Sequence, residues 1–289
     1  MQRNDIQIRD PFVVPVAAEG RYYLYGSTDP DCWATTPGRG FEAYSSLDLE
    51  AWDGPFPVFR PAPGFWGSYH FWAPEVHVYR GRYYMFASFK ADGRCRGTQI
   101  LVADGPRGPF VPHSADAVTP HEWECLDGTL FVDDAGNPWL VFCHEWVQVH
   151  DGEMCAQRLT DDLTAPLGEP LLLFHASDAP WVARGPAQVD FVTDGPFLYR
   201  AGNGDLLMLW SSMGWSGYAL GVARSASGRI TGPWTQDAEP LFAADGGHGM
   251  LFTTFGGQLL VALHQPNNTP NERPQFLPVH EEAGALRLG

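Results

Sequence analysis

Short runs of alternating apolar and polar residues recur along the whole chain, and they predict β-strands rather than helices. Glycine and proline punctuate these runs, with 32 glycines and 25 prolines among 289 residues. Little of the sequence repeats its apolar residues at the three- to four-residue spacing of an amphipathic helix. The pattern therefore predicts an all-β fold.

Five segments share one arrangement: a polar residue beside Gly, Pro or Ala, a short strand, a Gly-containing turn and a strongly apolar strand. They are RDPFVVPVAAEGRYYLYGS, APEVHVYRGRYYMFASF, LDGTLFVDDAGNPWLVFCH, TDGPFLYRAGNGDLLMLWSS and GHGMLFTTFGGQLLVALHQ. Measured at Asp10, Glu75, Asp127, Asp194 and His248, the repeats are 65, 52, 67 and 54 residues apart. Each interval has room for about four short strands, the content of one propeller blade.

We therefore expect a five-bladed β-propeller that forms one domain over residues 1–289. A β-sandwich or jelly roll is the alternative. It explains the alternation and the turns, but it does not explain five matching segments.

The charge of the chain limits the classes of binding partner. The chain has 34 acidic and 18 basic residues, and its net charge is −16. Nucleic acids and anionic membranes both need basic surface, so we expect neither as a partner. No stretch approaches the roughly 18 apolar residues of a membrane span. The N-terminal MQRNDIQIRDPF lacks the apolar region of a signal peptide, which predicts a cytoplasmic protein. Five scattered cysteines without a CxxC pair are typical of reduced thiols.

The polar residues that open the repeats are the candidates for chemistry, because the first strand of every propeller blade lines the central channel. Asp10, Asp127, Asp194 and His248, with Glu75 nearby, should therefore meet around one axis. A single aspartate before Gly or Pro is commonly a turn residue, but recurrence in phase favours a function. In such a cluster one carboxylate stays ionised as a base while its neighbours push another toward protonation. Glycoside hydrolysis needs this pair.

Aromatic residues add to this interpretation, because sugar rings stack on aromatic faces and the chain has 11 tryptophans. Five of them lie in loops or at strand mouths: Trp33, Trp66, Trp72, Trp146 and Trp215. We expect two or three of these near a ligand and the others in ordinary packing between blades.

These motifs resemble glycoside hydrolase family 43, whose members are five-bladed propellers that hydrolyse arabinose-, xylose- and sometimes galactose-containing glycans with inversion. The resemblance extends over essentially the whole chain and rests on IRDPFVV, YSSLDLEAW, FWAPEV, LDGTLFVDDAGNPWLVF, DGPFLYR and HGMLF in this order. It implies that Asp10 is the general base that activates water. It implies that Asp127 keeps the pKa of the acid high and orients the acid.

Further residues are implied by the same resemblance. His248 matches an axial histidine that often contacts a central calcium ion or water, so a structural calcium is considered although no cofactor is required. Arg273 matches an arginine that often hydrogen-bonds the sugar. Trp72 and Glu75 match a segment that lines the pocket. Apart from the resemblance, Trp215 among the loop tryptophans and Glu145 are further candidates for substrate binding. No HxH or HExxH pattern indicates zinc.

The sequence departs from the family at the acid, where Glu-Gly-Pro is usual and this chain has Asp194-Gly195-Pro196. Aspartate is one methylene shorter, and a misplacement near 1 Å can cost about 10²-fold in rate. Asp194 is the acid, or Glu145 in FCHEWVQVHDG replaces it, or the acid is lost and the protein binds sugar without cleaving it. Retention of Asp10 and Asp127 favours the first interpretation.

The function expected is that of an inverting, exo-acting hydrolase of small arabinose-, xylose- or galactose-containing oligosaccharides. A catalytically silent carbohydrate-binding propeller is the alternative. A glycoside phosphorylase would need a basic cluster for phosphate beside the carboxylates. Lys90 is the only lysine, and no such cluster flanks the repeated residues.

Overall fold

The computed structural model describes residues 1–184 and 189–289, and within them the strands form five four-stranded antiparallel sheets. Each sheet is a meander of four strands that follow one another in the sequence. The first two sheets contain β1 (Arg9–Val16), β2 (Arg21–Ser27), β3 (Phe41–Ser46), β4 (Trp52–Phe59), β5 (Tyr69–Tyr79), β6 (Arg82–Ala91), β7 (Arg94–Ala103) and β8 (Val111–Pro112). The third contains β9 (Cys125–Val132), β10 (Pro138–His144), β11 (Glu153–Leu159) and β12 (Pro166–His175).

The last two sheets contain β13 (Asp194–Arg200), β14 (Leu206–Gly214), β15 (Gly217–Ser225), β16 (Thr235–Gln236), β17 (Gly247–Thr253), β18 (Leu259–Gln265), β19 (Arg273–Glu282) and β20 (Ala285–Leu288). The helices of the described residues are short: α1 (Trp146–Val149) and two 3-10 helices, Arg3–Asp5 and Ala176–Asp178. None of these helices is long and apolar enough to cross a membrane.

The five sheets close into a ring through their first strands. Strand β1 contacts both β5 and β17, β9 contacts β5 and β13, and β13 also contacts β17. The inner position of every first strand confirms the five-bladed propeller and shows that the sandwich alternative is wrong.

Apolar side chains fill the spaces between neighbouring blades. Between the first two blades, Phe41 and Phe59 pack against Phe71 and Phe89, and Phe89 is fully buried. Across the two blades, the rings of Phe59 and Phe89 meet edge to face with 5.8 Å between their centroids. Such aromatic pairs contribute about 0.5–1.5 kcal/mol beyond the area that they bury, so they stabilise the angle between the blades.

The junction of the first and last blades is polar near the axis. Arg9 on β1 forms a buried ion pair with Glu272, with 2.9 Å between Nη1 and Oε1. The other terminal nitrogen of Arg9 donates to Asn267 Oδ1 at 2.8 Å. The backbone N–H of Ile8 donates to the carbonyl of Glu272 at 3.3 Å. These bonds close the ring beside the residue that follows Arg9, which is Asp10.

Candidate active site

Every inner strand contains a β-bulge at the same place, where two of its residues lie opposite one residue of the second strand. The first residue of each bulge has a left-handed backbone. These residues are Asp10 (φ 54°), Ala73 (φ 45°), Asp127 (φ 55°), Gly195 (φ 52°) and His248 (φ 50°). Bulges re-aim side chains and are common beside active sites. The bulges therefore turn Asp10, Asp127 and His248 toward one another.

The backbone N–H of each bulge is bonded to the preceding blade, and we call these five contacts the cross-blade hydrogen bonds. Four of them end on a side chain of the preceding blade's second strand. They are Ala73 to Ser27 Oγ (2.8 Å), Asp127 to Ser88 Oγ (2.9 Å), His248 to Ser211 Oγ (2.8 Å) and Asp10 to His264 Nδ1 (3.2 Å). The fifth runs from Gly195 to Asp127 Oδ2 at 3.0 Å, and Cys143 occupies the corresponding second-strand position. A hydrogen bond to the preceding blade thus holds the backbone of Asp10, Asp127 and His248 in place.

Asp10 and His248 form the centre of the cluster. His248 Nδ1 lies 3.1 Å from Asp10 Oδ1 and 3.6 Å from Asp127 Oδ2. Ser27 Oγ donates to the other oxygen of Asp10 at 2.8 Å. Asp10, Asp127 and His248 are at most 9% exposed, so their charges interact with little screening by water.

Neighbouring charges shift the pKa values of His248 and Asp10 in opposite directions. Burial lowers the pKa of His248, but the charges of Asp10 and Asp127 outweigh it and raise that pKa to about 10. Burial disfavours the Asp10 carboxylate, yet the His248 imidazolium and Arg9 hold the pKa of Asp10 well below its usual range. Asp10 is therefore ionised and His248 is protonated at neutral pH.

The pKa values of the other two carboxyls, those of Asp127 and Asp194, are raised. Burial, together with the charge of Asp10, raises the pKa of Asp127 to about 6, although His248 opposes the rise. Burial and then the charge of Asp127 raise the pKa of Asp194 well above its usual range. Asp194 is thus the carboxyl of this cluster that keeps its proton at neutral pH, whereas Asp10 has lost its own. General acid–base catalysis requires this division.

Asp194 lies one residue before the bulge of its strand, and Tyr218 Oη donates a hydrogen bond to its Oδ2 at 2.9 Å. Asp194, Asp10, Asp127 and His248 all line one cavity of about 710 Å³. This volume lies within the usual range of small-molecule sites.

Two of the predicted substrate-binding residues line the cavity, Trp72 and Glu145. The carboxylate of Glu145 forms a buried ion pair with Arg96, with 2.5 Å between Oε1 and Nε. The guanidinium carbon of Arg96 lies 3.8 Å from the centre of a Trp72 ring. Burial raises the pKa of Glu145, although Arg96 opposes the rise. The carboxylate of Glu145 is therefore occupied by its ion pair with Arg96. This pairing argues against Glu145 as the replacement acid.

The other three predictions do not fit the geometry, since Glu75, Trp215 and Arg273 are absent from the described residues that line the cavity. Glu75 follows the bulge of β5, and its Oε2 lies 3.1 Å from His77 Nε2. Trp215 is 81% exposed in the turn between β14 and β15. Arg273 donates to the backbone carbonyls of three residues, Asn4, Pro270 and Glu272. Their side chains are thus directed to other partners or to solvent.

Sequence reasoning missed several lining residues, among them Arg9, His70, Arg96 and Tyr218. Arg9 had a signal, because it directly precedes Asp10 in the repeated motif. His70, Arg96 and Tyr218 lie on three different strands, and only the closed ring brings them to one cavity.

The residues around His248 fit a directly bound metal ion poorly. Nδ1 is engaged by Asp10, and the protonated ring offers no lone pair to a cation. Among the described residues, no group of three or more His, Cys, Asp or Glu side chains is arranged to hold a metal ion. Nε2 is buried without a partner among the described protein groups. As an N–H donor it suits a water or sugar oxygen rather than calcium, which prefers several oxygen ligands.

Comparison with known proteins agrees with this geometry. The family model for glycosyl hydrolases family 43 matches residues 5–285. A solved structure described as the endo-arabinase from Bacteroides thetaiotaomicron is 43% identical, covers 98% of both chains and superposes with a TM-score of 0.91. The extracellular exo-α-(1→5)-L-arabinofuranosidase of Cellvibrio japonicus is 28% identical over 71% of this chain, which spans 63% of that relative. The extracellular endo-α-(1→5)-L-arabinanase 1 of Bacillus subtilis is 26% identical over 38% of each chain.

Proposed function

The chain belongs to glycosyl hydrolase family 43, and from this premise we propose that it is an inverting glycosidase that acts on the ends of arabinose-, xylose- or galactose-containing oligosaccharides. The proposal rests on two carboxyls of one cavity, one of which is ionised while the other is protonated. Asp10 is held ionised by His248, and Asp194 is held neutral by burial and by Asp127. Glycoside hydrolysis uses a pair of carboxyls in these two states, and inversion results where the ionised carboxyl activates a water molecule.

In the proposed reaction, Asp10 accepts a proton from a water molecule as the water oxygen attacks the anomeric carbon. Asp194 gives its proton to the glycosidic oxygen as the bond from that oxygen to the sugar breaks. One displacement inverts the configuration at the anomeric carbon. Asp127 stays charged beside Asp194 and keeps it protonated until the leaving group needs the proton. The mechanism uses side chains alone and requires no cofactor.

We favour arabinose among these sugars because of the relatives' names. The 43% identical structure is described as an endo-arabinase, and the 28% identical relative as an exo-arabinofuranosidase. One name describes cleavage within a chain and the other cleavage at its end. The choice between endo and exo action must therefore be argued from the site itself.

The loop between β2 and β3 supports exo action, because it is fixed to the blades on both sides. Trp72 Nε1 donates to the carbonyl of Cys32 at 2.7 Å, and His70 Nε2 lies 3.1 Å from the carbonyl of Trp33. On the other side, the Sγ of Cys32 lies 3.6 Å from Thr269 Oγ1. The loop thus forms a wall of the cavity from the second blade to the fifth. A cavity walled in this way favours a chain end over the middle of a polymer.

The test is digestion of linear α-1,5-arabino-oligosaccharides and β-1,4-xylo-oligosaccharides of defined length. We expect release of one product size from one end at early times, with inversion seen in the NMR spectrum of the first product. Asp10→Asn and Asp194→Asn should abolish this turnover, whereas the exposed-surface control Asp104→Asn should not. Products of many sizes would show endo action, and retained configuration would contradict the roles of both aspartates.

A carbohydrate-binding propeller without catalysis is the second candidate, favoured by the aspartate that replaces the usual glutamate at 194. It predicts that the wild type binds the same oligosaccharides in calorimetry but releases no product. Asp194→Asn should then change affinity alone.

A further inference from the structure

The phenol of Tyr218 touches the proposed acid, Asp194. Tyr218 lies on β15, is 2% exposed and lines the cavity. Its phenol donates to Asp194 Oδ2 at 2.9 Å, and its backbone N–H donates to Asp245 Oδ1 at 3.3 Å. Burial and the charge of Asp194 raise the pKa of Tyr218 well above its usual range, so the phenol keeps its proton and remains a donor.

The tyrosine ring packs closely against two residues of the last blade, His264 and Gly247. It stacks on His264, with 5.6 Å between ring centroids and 20° between the planes. Gly247 lies close as well, because a Cβ at this position would come within 2.7 Å of the Tyr218 ring. The phenol therefore has little freedom to move away from Asp194.

His264 connects this contact to the proposed base. Its Nδ1 accepts the backbone N–H of Asp10, so Nε2 carries the proton and faces Asn267 Oδ1 at 3.3 Å. Burial and the charge of Arg9 lower the pKa of His264 to about 3, which keeps the ring neutral. The same uncharged ring thus supports the backbone of Asp10 and the phenol that contacts Asp194.

We propose that Tyr218 is a positioning residue that fixes the short carboxyl of Asp194 in the orientation required of the general acid. This inference rests on the proposed function. With Oδ2 accepting from the phenol, the acid proton is on Oδ1. As that proton passes to the glycosidic oxygen and the sugar–oxygen bond breaks, Asp194 becomes a carboxylate. The bond from Tyr218 then strengthens, and an interaction that is stronger in the transition state accelerates the reaction.

The experiment compares Tyr218→Phe with Tyr199→Phe, a matched control. Tyr199 also donates to a carboxylate, Glu281 Oε2 at 3.0 Å, but it does not line the cavity. Each variant is assayed on an arabino-oligosaccharide, whose leaving group needs a proton, and on an aryl arabinoside with an acidic phenol leaving group. Thermal unfolding of both variants checks the fold.

We expect Tyr218→Phe to lower kcat on the oligosaccharide about 10- to 100-fold, the effect of one hydrogen bond to a charged group. The aryl substrate should lose less than about threefold, because general-acid assistance matters little to it. The basic limb of the pH profile should move to higher pH, since removing the donor destabilises the Asp194 carboxylate. Tyr199→Phe should behave like the wild type.

Two results would overturn the inference, an equal loss on both substrates or no loss on either. The comparison with Asp194→Asn separates this failure from failure of the proposed function. If Asp194→Asn loses far more on the oligosaccharide than on the aryl substrate and Tyr218→Phe does not, only the positioning role is wrong. If Asp194→Asn shows no such difference, the acid assignment fails and the role of Tyr218 fails with it.

Discussion

Replacing Glu145 by Gln removes one charge from a buried ion pair of the cavity wall. The side chains of Arg96 and Glu145 are 8% and 3% exposed, and 2.5 Å separates Nε from Oε1. Glutamine keeps nearly the same shape and an oxygen that accepts from Arg96. The substitution therefore tests the charge of Glu145 with little change in packing.

The cost follows from Coulomb's law. With charge centres about 4 Å apart and an effective dielectric constant of about 20, the attraction is about 4 kcal/mol. Removing one partner of a buried pair costs a similar 3–5 kcal/mol, because the remaining charge stays buried. The raised pKa of Glu145 shows that burial already opposes its charge. The pair is therefore costly to break without being strongly stabilising as a whole.

Urea unfolding at equilibrium measures this prediction. We expect Glu145→Gln to lower the free energy of unfolding by about 2 kcal/mol, less than the Coulomb figure, because removing the charge also removes the burial cost that raises the pKa of Glu145. Tm should fall by about 4 °C if each kcal/mol shifts it by about 2 °C. The double variant Arg96→Met with Glu145→Gln should recover at least half of the loss, since apolar replacement of a buried pair is often neutral or stabilising. Glu50→Gln, which breaks an exposed pair with Arg3, is the matched control and should change stability by less than about 1 kcal/mol.

A different outcome would refute the reasoning. If Glu145→Gln unfolds like the wild type and loses activity on oligosaccharides but not on aryl glycosides, Glu145 acts as the acid. The assignment of Asp194 would then be wrong.

Three further predictions concern the carboxylate cluster and one residue outside it. Asp127→Asn keeps an acceptor for Gly195 N–H but removes the charge that raises the pKa of Asp194, so the basic limb of kcat/KM should move to lower pH. Because the folded pKa of His248 is about 10 against 6.5 in the unfolded chain, its contribution to stability is complete below pH 6.5 and is lost toward pH 10. The wild type should therefore lose more stability than His248→Gln over that range in urea unfolding. Arg273→Ala should change KM by less than about twofold in steady-state assays, because the donors of Arg273 bond backbone carbonyls. A larger rise in KM would show that Arg273 contributes to substrate binding.

The propeller could be predicted because each blade repeats the same hairpin, so one local pattern occurs five times in order. The cluster of Asp10, Asp127 and His248 was accessible for the same reason, since three of the repeat markers proved to be the first residues of bulges. The structure thus confirms the fold and the convergence of these three side chains.

The remaining lining residues could not be predicted, because their positions depend on contacts between blades. The repeat marker of the second blade was wrong by two residues: the bulge begins at Ala73, and Glu75 follows it. Three X–Pro pairs and two X–Gly pairs occur in these bulges, and neither kind of pair alone predicts which residue takes the left-handed conformation. Arg96 and Tyr218 carry no motif at all, because their roles arise from Trp72, Glu145 and Asp194 on other strands.

The bulge of the fourth blade also explains why a carboxylate stands at the mouth of β13. The residue in phase with Asp10, Asp127 and His248 is Gly195, and its φ of 52° is one that glycine adopts without strain. A Cβ there would lie 2.7 Å from the His248 ring, so a side chain at 195 would displace the histidine that keeps Asp10 ionised. A carboxyl that is to serve as the proposed acid must therefore come from a neighbouring position. Asp194 stands directly before the bulge, where Tyr218 can reach it and where the N–H of Gly195 holds Asp127 nearby. The space that His248 requires thus explains why the proposed acid stands at position 194 and not at 195.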